Sequence, residues 1–211
     1  MMRPDCLIFD MDGTLWDATD SYARTWNETS RRLGFESNVT GRSLLSLMGK
    51  PLADIFDSLF PEGMPVDKET YMMRLMAVEA ELMPLIGGRL MDGVEQGLRR
   101  LARHYPLMMV SNCSATGLRN FLAYTKLHDC FVDTLTNGET RLPKAENIQL
   151  IMRRNGADSA VYVGDTQHDC DETHRAGQQF AFVEYGFGRC ADADIRFATF
   201  TRLVNYFVTL K

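Results

Sequence analysis

Four short apolar runs constrain this chain more than anything else in it: CLIF (6–9), PLMMV (106–110), AVYV (160–163) and FAFV (180–183). None alternates polar with apolar residues, and polar or turn-forming residues bound each one, which is how strands buried on both faces read. Helical periodicity fills the gaps, with Val94, Leu98 and Leu101, then Leu118, Phe121, Leu122 and Thr125, then Ile148, Ile151 and Met152. Strand alternating with helix predicts an α/β fold, a doubly wound parallel sheet with helices on both sides. CFVDT (130–134) reads as a further strand.

Between the first run and the second the alternation lapses for roughly seventy residues. Amphipathic helices there are separated by Gly41, Gly49, Pro51, Pro61, Gly63, Pro65 and Pro84. Tyr22, Trp26, Thr29 and Leu33 share one helical face, and Tyr71, Leu75, Val78 and Leu82 share another. The segment reads as a helical cap, residues 16–84, inserted into a core formed by 1–15 and 85–211. It departs from the carboxyl end of the first strand, where open α/β sheets hold their ligands, so a lid is expected. Its methionines, among them Met72, Met73, Met76 and Met83, read as core filler.

A chain of 211 residues with 45% apolar content can bury a substantial core, and its formal charge of -5 argues against a nucleic-acid partner. Arg99, Arg100 and Arg103, the densest basic group, read as a solvated helix face. Five cysteines without CxxC spacing cannot all pair within one chain, which predicts a reduced, cytoplasmic compartment. With no basic leader before an apolar stretch and no apolar run near the ~18 residues that span a bilayer, neither export nor a membrane partner is expected.

The first strand runs into FDMDGTL (9–15), which sets Asp10 and Asp12 two positions apart. Two such charges ~4 Å apart repel by ~4 kcal/mol at an effective dielectric of about 20, so a proton or a cation must offset them. A second acidic group, Asp165 and Asp169 in VGDTQHD (163–169), also ends a buried strand and emerges on the same sheet edge. Carboxylates from two strand ends suit a hard divalent ion such as Mg²⁺. His168 and Cys170 flank Asp169 without a recognised ligand spacing and read as turn residues. Ser111 and Asn112 end a third strand, and Lys144 opens a predicted helix. A hydroxyl and an ammonium there can bind a phosphoryl group that acids alone would repel.

The ordered series DMDGTL, VSN, PKAEN and VGDTQHD resembles the four motifs of the haloacid dehalogenase superfamily of aspartate-nucleophile phosphotransferases. The resemblance covers nearly the whole chain, including the helical insert and a late YGFG (185–188), and is greatest to the phosphoglycolate phosphatase and phosphomutase group. It implies that Asp10 is the nucleophile and Asp12 the proton carrier. It further implies that Ser111 and Lys144 stabilise the phosphoryl group, and that Mg²⁺ is held by Asp10, the backbone carbonyl of Asp12 and Asp165. Asp169 assists through water or by orienting Lys144. Gly13 and Thr14 shape the turn, with backbone amides available to phosphate, and Asn112 and the cap residue Lys50 face substrate.

An acid two positions after the nucleophile favours phosphate esters over halides, because a halide leaves without a proton. Ala145 stands where the family often has Pro after the lysine, and Trp16 is bulkier than the usual aliphatic residue; it is expected to pack against the cap. The implied activity is Mg²⁺-dependent hydrolysis of a small soluble phosphomonoester such as phosphoglycolate. The alternatives are a sugar-phosphate mutase with the same chemistry and a phosphoacceptor signalling module.

Overall fold

The computed structural model describes residues 2–210. Its strands are β1 (Cys6–Phe9), β2 (Trp16–Asp17), β3 (Arg89–Leu90), β4 (Leu107–Ser111), β5 (Asp133–Thr136), β6 (Ala160–Gly164), β7 (Gln179–Val183) and β8 (Ile195–Phe197). Six of them form one parallel sheet in the order β5-β4-β1-β6-β7-β8. The side-chain period of two sends Leu7 and Phe9 to one face of β1, and Cys6 and Ile8 to the other. Both faces are sealed, and all four residues are fully buried.

The helices are α1 (Thr19–Arg32), α2 (Gly41–Leu45), α3 (Leu52–Leu59), α4 (Lys68–Ile86), α5 (Val94–Leu101), α6 (Ala115–Thr125), α7 (Asn137–Thr140), α8 (Lys144–Asn155), α9 (Gln167–Arg175) and α10 (Phe200–Thr209). On one face of the sheet Leu98, Leu101, Phe200, Leu203 and Phe207 from α5 and α10 pack with Leu7, Phe9, Met109 and Val161. On the other, Ile148, Ile151, Met152 and Cys170 from α8 and α9 pack with Ile8, Met108, Val110 and Tyr162. Burying side chains of this size stabilises by ~1.5–3 kcal/mol each before conformational entropy is set against it.

Helices α1 to α4 lie between β1 and β4 in the chain and share an aromatic cluster of Trp26, Phe56, Phe60 and Tyr71. The Tyr71 hydroxyl donates to the Trp26 carbonyl at 2.9 Å, so the buried polar tip is satisfied. The chain enters and leaves this layer through β2 and β3, which pair antiparallel as a two-stranded ribbon.

Several expectations shift. The strand foreseen over CFVDT begins only at Asp133, because residues 128–130 form a 3₁₀ turn. Helix α4 runs through Pro84 to Ile86 and ends at Gly87, so a cap boundary at 84 would fall inside its last turn. Met83 is buried, but Met73 and Met76 are exposed, since they lie off the stripe formed by Tyr71, Leu75 and Val78. His168 and Cys170 belong to the helix α9 rather than a turn, with Cys170 buried and His168 exposed. Arg99, Arg100 and Arg103 are solvent-exposed as expected. Among the described residues no helix is long and apolar enough to cross a membrane.

Candidate active site

Strands β4, β1 and β6 are neighbours, so the residues at their carboxyl ends converge. They bring Ser111, Asp10 and Asp165 to one edge of the sheet, and the first turn of α8 adds Lys144. All four side chains are buried.

Lys144 organises the centre. Its Nζ donates to Asp10 Oδ1 at 2.9 Å and to Asp169 Oδ1 at 2.5 Å, although the residue is only 1% exposed. Burial alone would lower its pKa, but Asp10 and Asp169 together hold it well above the ordinary lysine value. Asp169 is pulled the other way: burial would raise its pKa, and Lys144 and Thr166 overcome that and keep it low. Its second oxygen, Oδ2, accepts from the Thr166 hydroxyl at 2.7 Å and the Thr166 amide at 3.1 Å. These bonds belong to a capping box at the start of α9, so the motif that begins the helix also fixes the acid. Asp169 is therefore placed to orient Lys144.

Asp165 accepts from the Thr14 hydroxyl at 3.1 Å and from the Phe187 amide at 2.7 Å. The loop containing YGFG wraps this carboxylate so closely that a Cβ on Gly186 would come within 2.2 Å of Asp165 Cβ. Gly13 has φ +83°, and a Cβ there would meet Asp165 Oδ2 at 2.4 Å, so only glycine fits the turn. The Gly13 amide donates to the Trp16 carbonyl at 2.9 Å. Gly13 thus shapes the turn with its amide already committed, and Thr14 acts through its hydroxyl on Asp165.

Asp10, Asp165 and Asp169 each offer a carboxylate oxygen within 4.8 Å of the others. Burial pushes Asp10 up to about 6 against the pull of Lys144, and pushes Asp165 up to about 8 with help from Asp169 and Asp10. Three buried acids facing a single lysine leave uncompensated negative charge, and the donor set is oxygen only. Both properties fit a hard divalent cation such as Mg²⁺, which would restore the ionised forms.

The Asp12 side chain stands apart from this group and accepts from Trp16 Nε1 at 3.0 Å. Burial and the neighbouring Asp10 push its pKa up to about 8, so it carries a proton at neutral pH. Trp16 also meets Phe121 and Tyr22 edge to face, at 5.0 and 6.4 Å between ring centroids. It packs as expected and, beyond the expectation, holds the acid.

A pocket opens above Asp10 and Asp12, with Ser111 and Asn112 on its floor and residues of α1 to α4 as its roof. Lys50 lines it from an exposed position. Asn112 Nδ2 donates to the Gly49 carbonyl at 2.8 Å, so this side chain also joins floor to roof. Residue types alone did not single out Tyr22, Glu79 and Tyr162. Tyr22 and Glu79 line the pocket. The Tyr162 hydroxyl donates to the Val110 carbonyl at 2.6 Å and lies 3.4 Å from Asp10 Oδ1. The signal available for Glu79 was an acid four residues after Leu75 and four before Met83, inside an otherwise apolar stripe.

The family model for haloacid dehalogenase-like hydrolases matches residues 7–183. A phosphoglycolate phosphatase of Rhodobacter capsulatus is 26% identical over 191 residues, covering 86% of this chain and 84% of that protein. A 5'-nucleotidase of Pseudomonas aeruginosa is 25% identical over 195 residues, covering 89% and 86%. Among solved structures, a haloacid dehalogenase-like family hydrolase from Streptococcus pneumoniae superposes with a TM-score of 0.80 at 20% identity, covering 98% of this chain and all of that one.

Proposed function

Because the chain belongs to the haloacid dehalogenase-like hydrolases, we propose that it hydrolyses a small phosphomonoester in two displacements, with the phosphoryl group carried in between on Asp10. Lys144 engages Asp10 Oδ1, which leaves Oδ2 without a side-chain donor and available to attack phosphorus. The bond from Asp10 to phosphorus forms as the ester P–O bond breaks, and the proton held by Asp12 passes to the departing alkoxide. Water then attacks phosphorus, Asp12 takes its proton, and the bond to Asp10 breaks. The products are the alcohol and inorganic phosphate, and the enzyme returns to its starting state.

Lys144 and the Ser111 hydroxyl face the phosphoryl oxygens, where charge spreads in the transition state. Thr14 and the Phe187 amide hold Asp165, and Thr166 holds Asp169, so neither acid needs to reorganise during the reaction. Asp10, Asp165 and the backbone carbonyl of Asp12 would hold Mg²⁺, which when bound supplies positive charge to the transferring phosphoryl group. The roof excludes bulk water from the first displacement.

The observation that carries this reading is the contrast between two carboxyls two residues apart. Asp10 is held ionisable by a buried lysine, whereas burial and the charge of Asp10 keep Asp12 protonated and an indole N–H aims it. It is tested by measuring phosphate release from a panel of monoesters, with and without divalent cation, and by acid-quenching turnover of a ³²P-labelled ester. Label recovered on the peptide containing Asp10, and lost in Asp10→Asn, is the expected result. Full turnover by Asp10→Asn, or label that never reaches that peptide, overturns the mechanism.

A further inference from the structure

Both acids at the floor of the pocket, Asp10 and Asp12, have a donor, whereas the acid in its roof has none among the described residues. Glu79, on α4, is only 4% exposed yet lines the same pocket as Asp10 and Asp12. Its backbone carbonyl accepts from Asn120 Nδ2 at 3.2 Å, but among the described residues no donor reaches its carboxylate. Burial pushes its pKa up to about 7. A chain rarely buries an acid without a partner, so the partner is to be sought in what enters the pocket.

Its location says which part of a substrate that is. Glu79 lines the pocket together with Asp12, Tyr22 and Cys113, so it shares the space in which the departing alkoxide is protonated. Beside it the roof presents apolar Trp26, Leu44, Met48 and Ile55, with the Tyr22 hydroxyl as its other polar group besides the rim lysine Lys50. An alcohol leaving from this site meets a wall suited to methylenes and a single carboxyl aimed inward. Lys50 is the one cation lining the pocket among the described residues, and it is exposed, where water screens its charge.

We propose that this pocket selects phosphomonoesters whose alcohol is a short apolar chain ending in a hydrogen-bond donor, best of all a protonated amine, and that the Glu79 carboxylate receives that donor. The proposal rests on the phosphatase reading above and narrows its substrate class. An alcohol ending in a carboxylate would set two like charges together beside Glu79 and is disfavoured. Phosphoglycolate, whose leaving group carries a carboxylate, is therefore a poor fit.

The test is kcat/KM for a matched series of alkyl phosphates of two to five carbons, each ending in amine, hydroxyl, methyl or carboxylate. The wild-type enzyme is expected to prefer amine over carboxylate by about tenfold or more at its best chain length. Glu79→Gln should collapse that preference to within about threefold, mainly through a higher KM for the amino ester, and Glu79→Asp should restore part of it. Circular dichroism and thermal melting establish that the variants are folded.

An equal or reversed preference in the wild type overturns the proposal, as does a ranking that Glu79→Gln leaves intact. A ranking that follows Lys50→Gln instead assigns selection to the rim lysine and also overturns it. If the wild type releases phosphate from no ester, the phosphatase reading fails on its own terms. Calorimetric binding of the amino- and carboxy-terminated esters to wild type and Glu79→Gln then decides the Glu79 assignment separately, with loss of the amine preference expected and its persistence fatal.

Discussion

The floor and the roof of the pocket solve the problem of buried charge in opposite ways. On the floor, Lys144 is shared between Asp10 and Asp169, and Asp169 takes further bonds from Thr166; Thr14 and the Phe187 amide hold Asp165. In the roof, an aromatic and aliphatic layer surrounds one carboxyl, Glu79, that finds no donor among the described residues. The difference teaches where the molecule fixes its chemistry and where it leaves a contact open. Groups common to every phosphoryl transfer are held by the fold, and the group facing the variable part of a substrate is left for the substrate to complete.

That contrast can be broken most severely at its fixed end. Asp10→Asn should lower turnover by at least about four orders of magnitude, read as phosphate release under single-turnover conditions, because no other side chain can accept the phosphoryl group. Lys144→Ala should destabilise the fold by roughly 3–5 kcal/mol in denaturant titration, since it strands Asp10 and Asp169 as buried charges without a counter-charge. If Lys144→Ala instead unfolds like the wild type, the floor is not held by that pair and the comparison loses its first half.

Two further measurements sharpen the other end. In Glu79→Gln a buried acid without a partner is removed, so this variant should be more stable than the wild type at alkaline pH, by up to about 3 kcal/mol. The sign follows from the raised folded-state pKa of about 7 against the ordinary value of 4.5. Below 4.5 the carboxyl is protonated in both states and the advantage vanishes; it grows as pH rises toward 7, while only the unfolded chain ionises, and is constant above. Melting curves of both proteins between these limits check it. The smallest effect belongs to Trp16→Phe, which keeps the ring packing and deletes the indole donor to Asp12. It should cost about 1 kcal/mol in stability and displace the alkaline limb of the kcat profile to higher pH, because the lost hydrogen bond favoured ionised Asp12.

The sheet was legible in the sequence because strands buried on both faces must be apolar without alternation, and β1, β4, β6 and β7 all read that way. β5 was misplaced by three residues, since DTLT has one apolar residue in four and a 3₁₀ turn uses Cys130 as its own buried anchor. Three-residue β8 and the helix α10 behind it carry too short a strand signal to be paired with anything before the sheet is known. The floor of the site was readable because its residues follow strands and so share an edge. Glu79 was marked only by its place in the apolar stripe of Leu75 and Met83, because a glutamate in a helix pattern looks like surface until α4 packs against α1 and α6. The hold of Trp16 on Asp12 was equally hidden, since nothing local says which way an indole N–H points.

The ribbon formed by β2 and β3 carries a consequence for motion. Both connections to the helical layer run side by side through four residues, so any swing of that layer turns about this one pivot. Trp16 is one of the four, next to the axis, where displacement is least. A roof that opened on this ribbon would leave the proton carrier beneath it aimed as before.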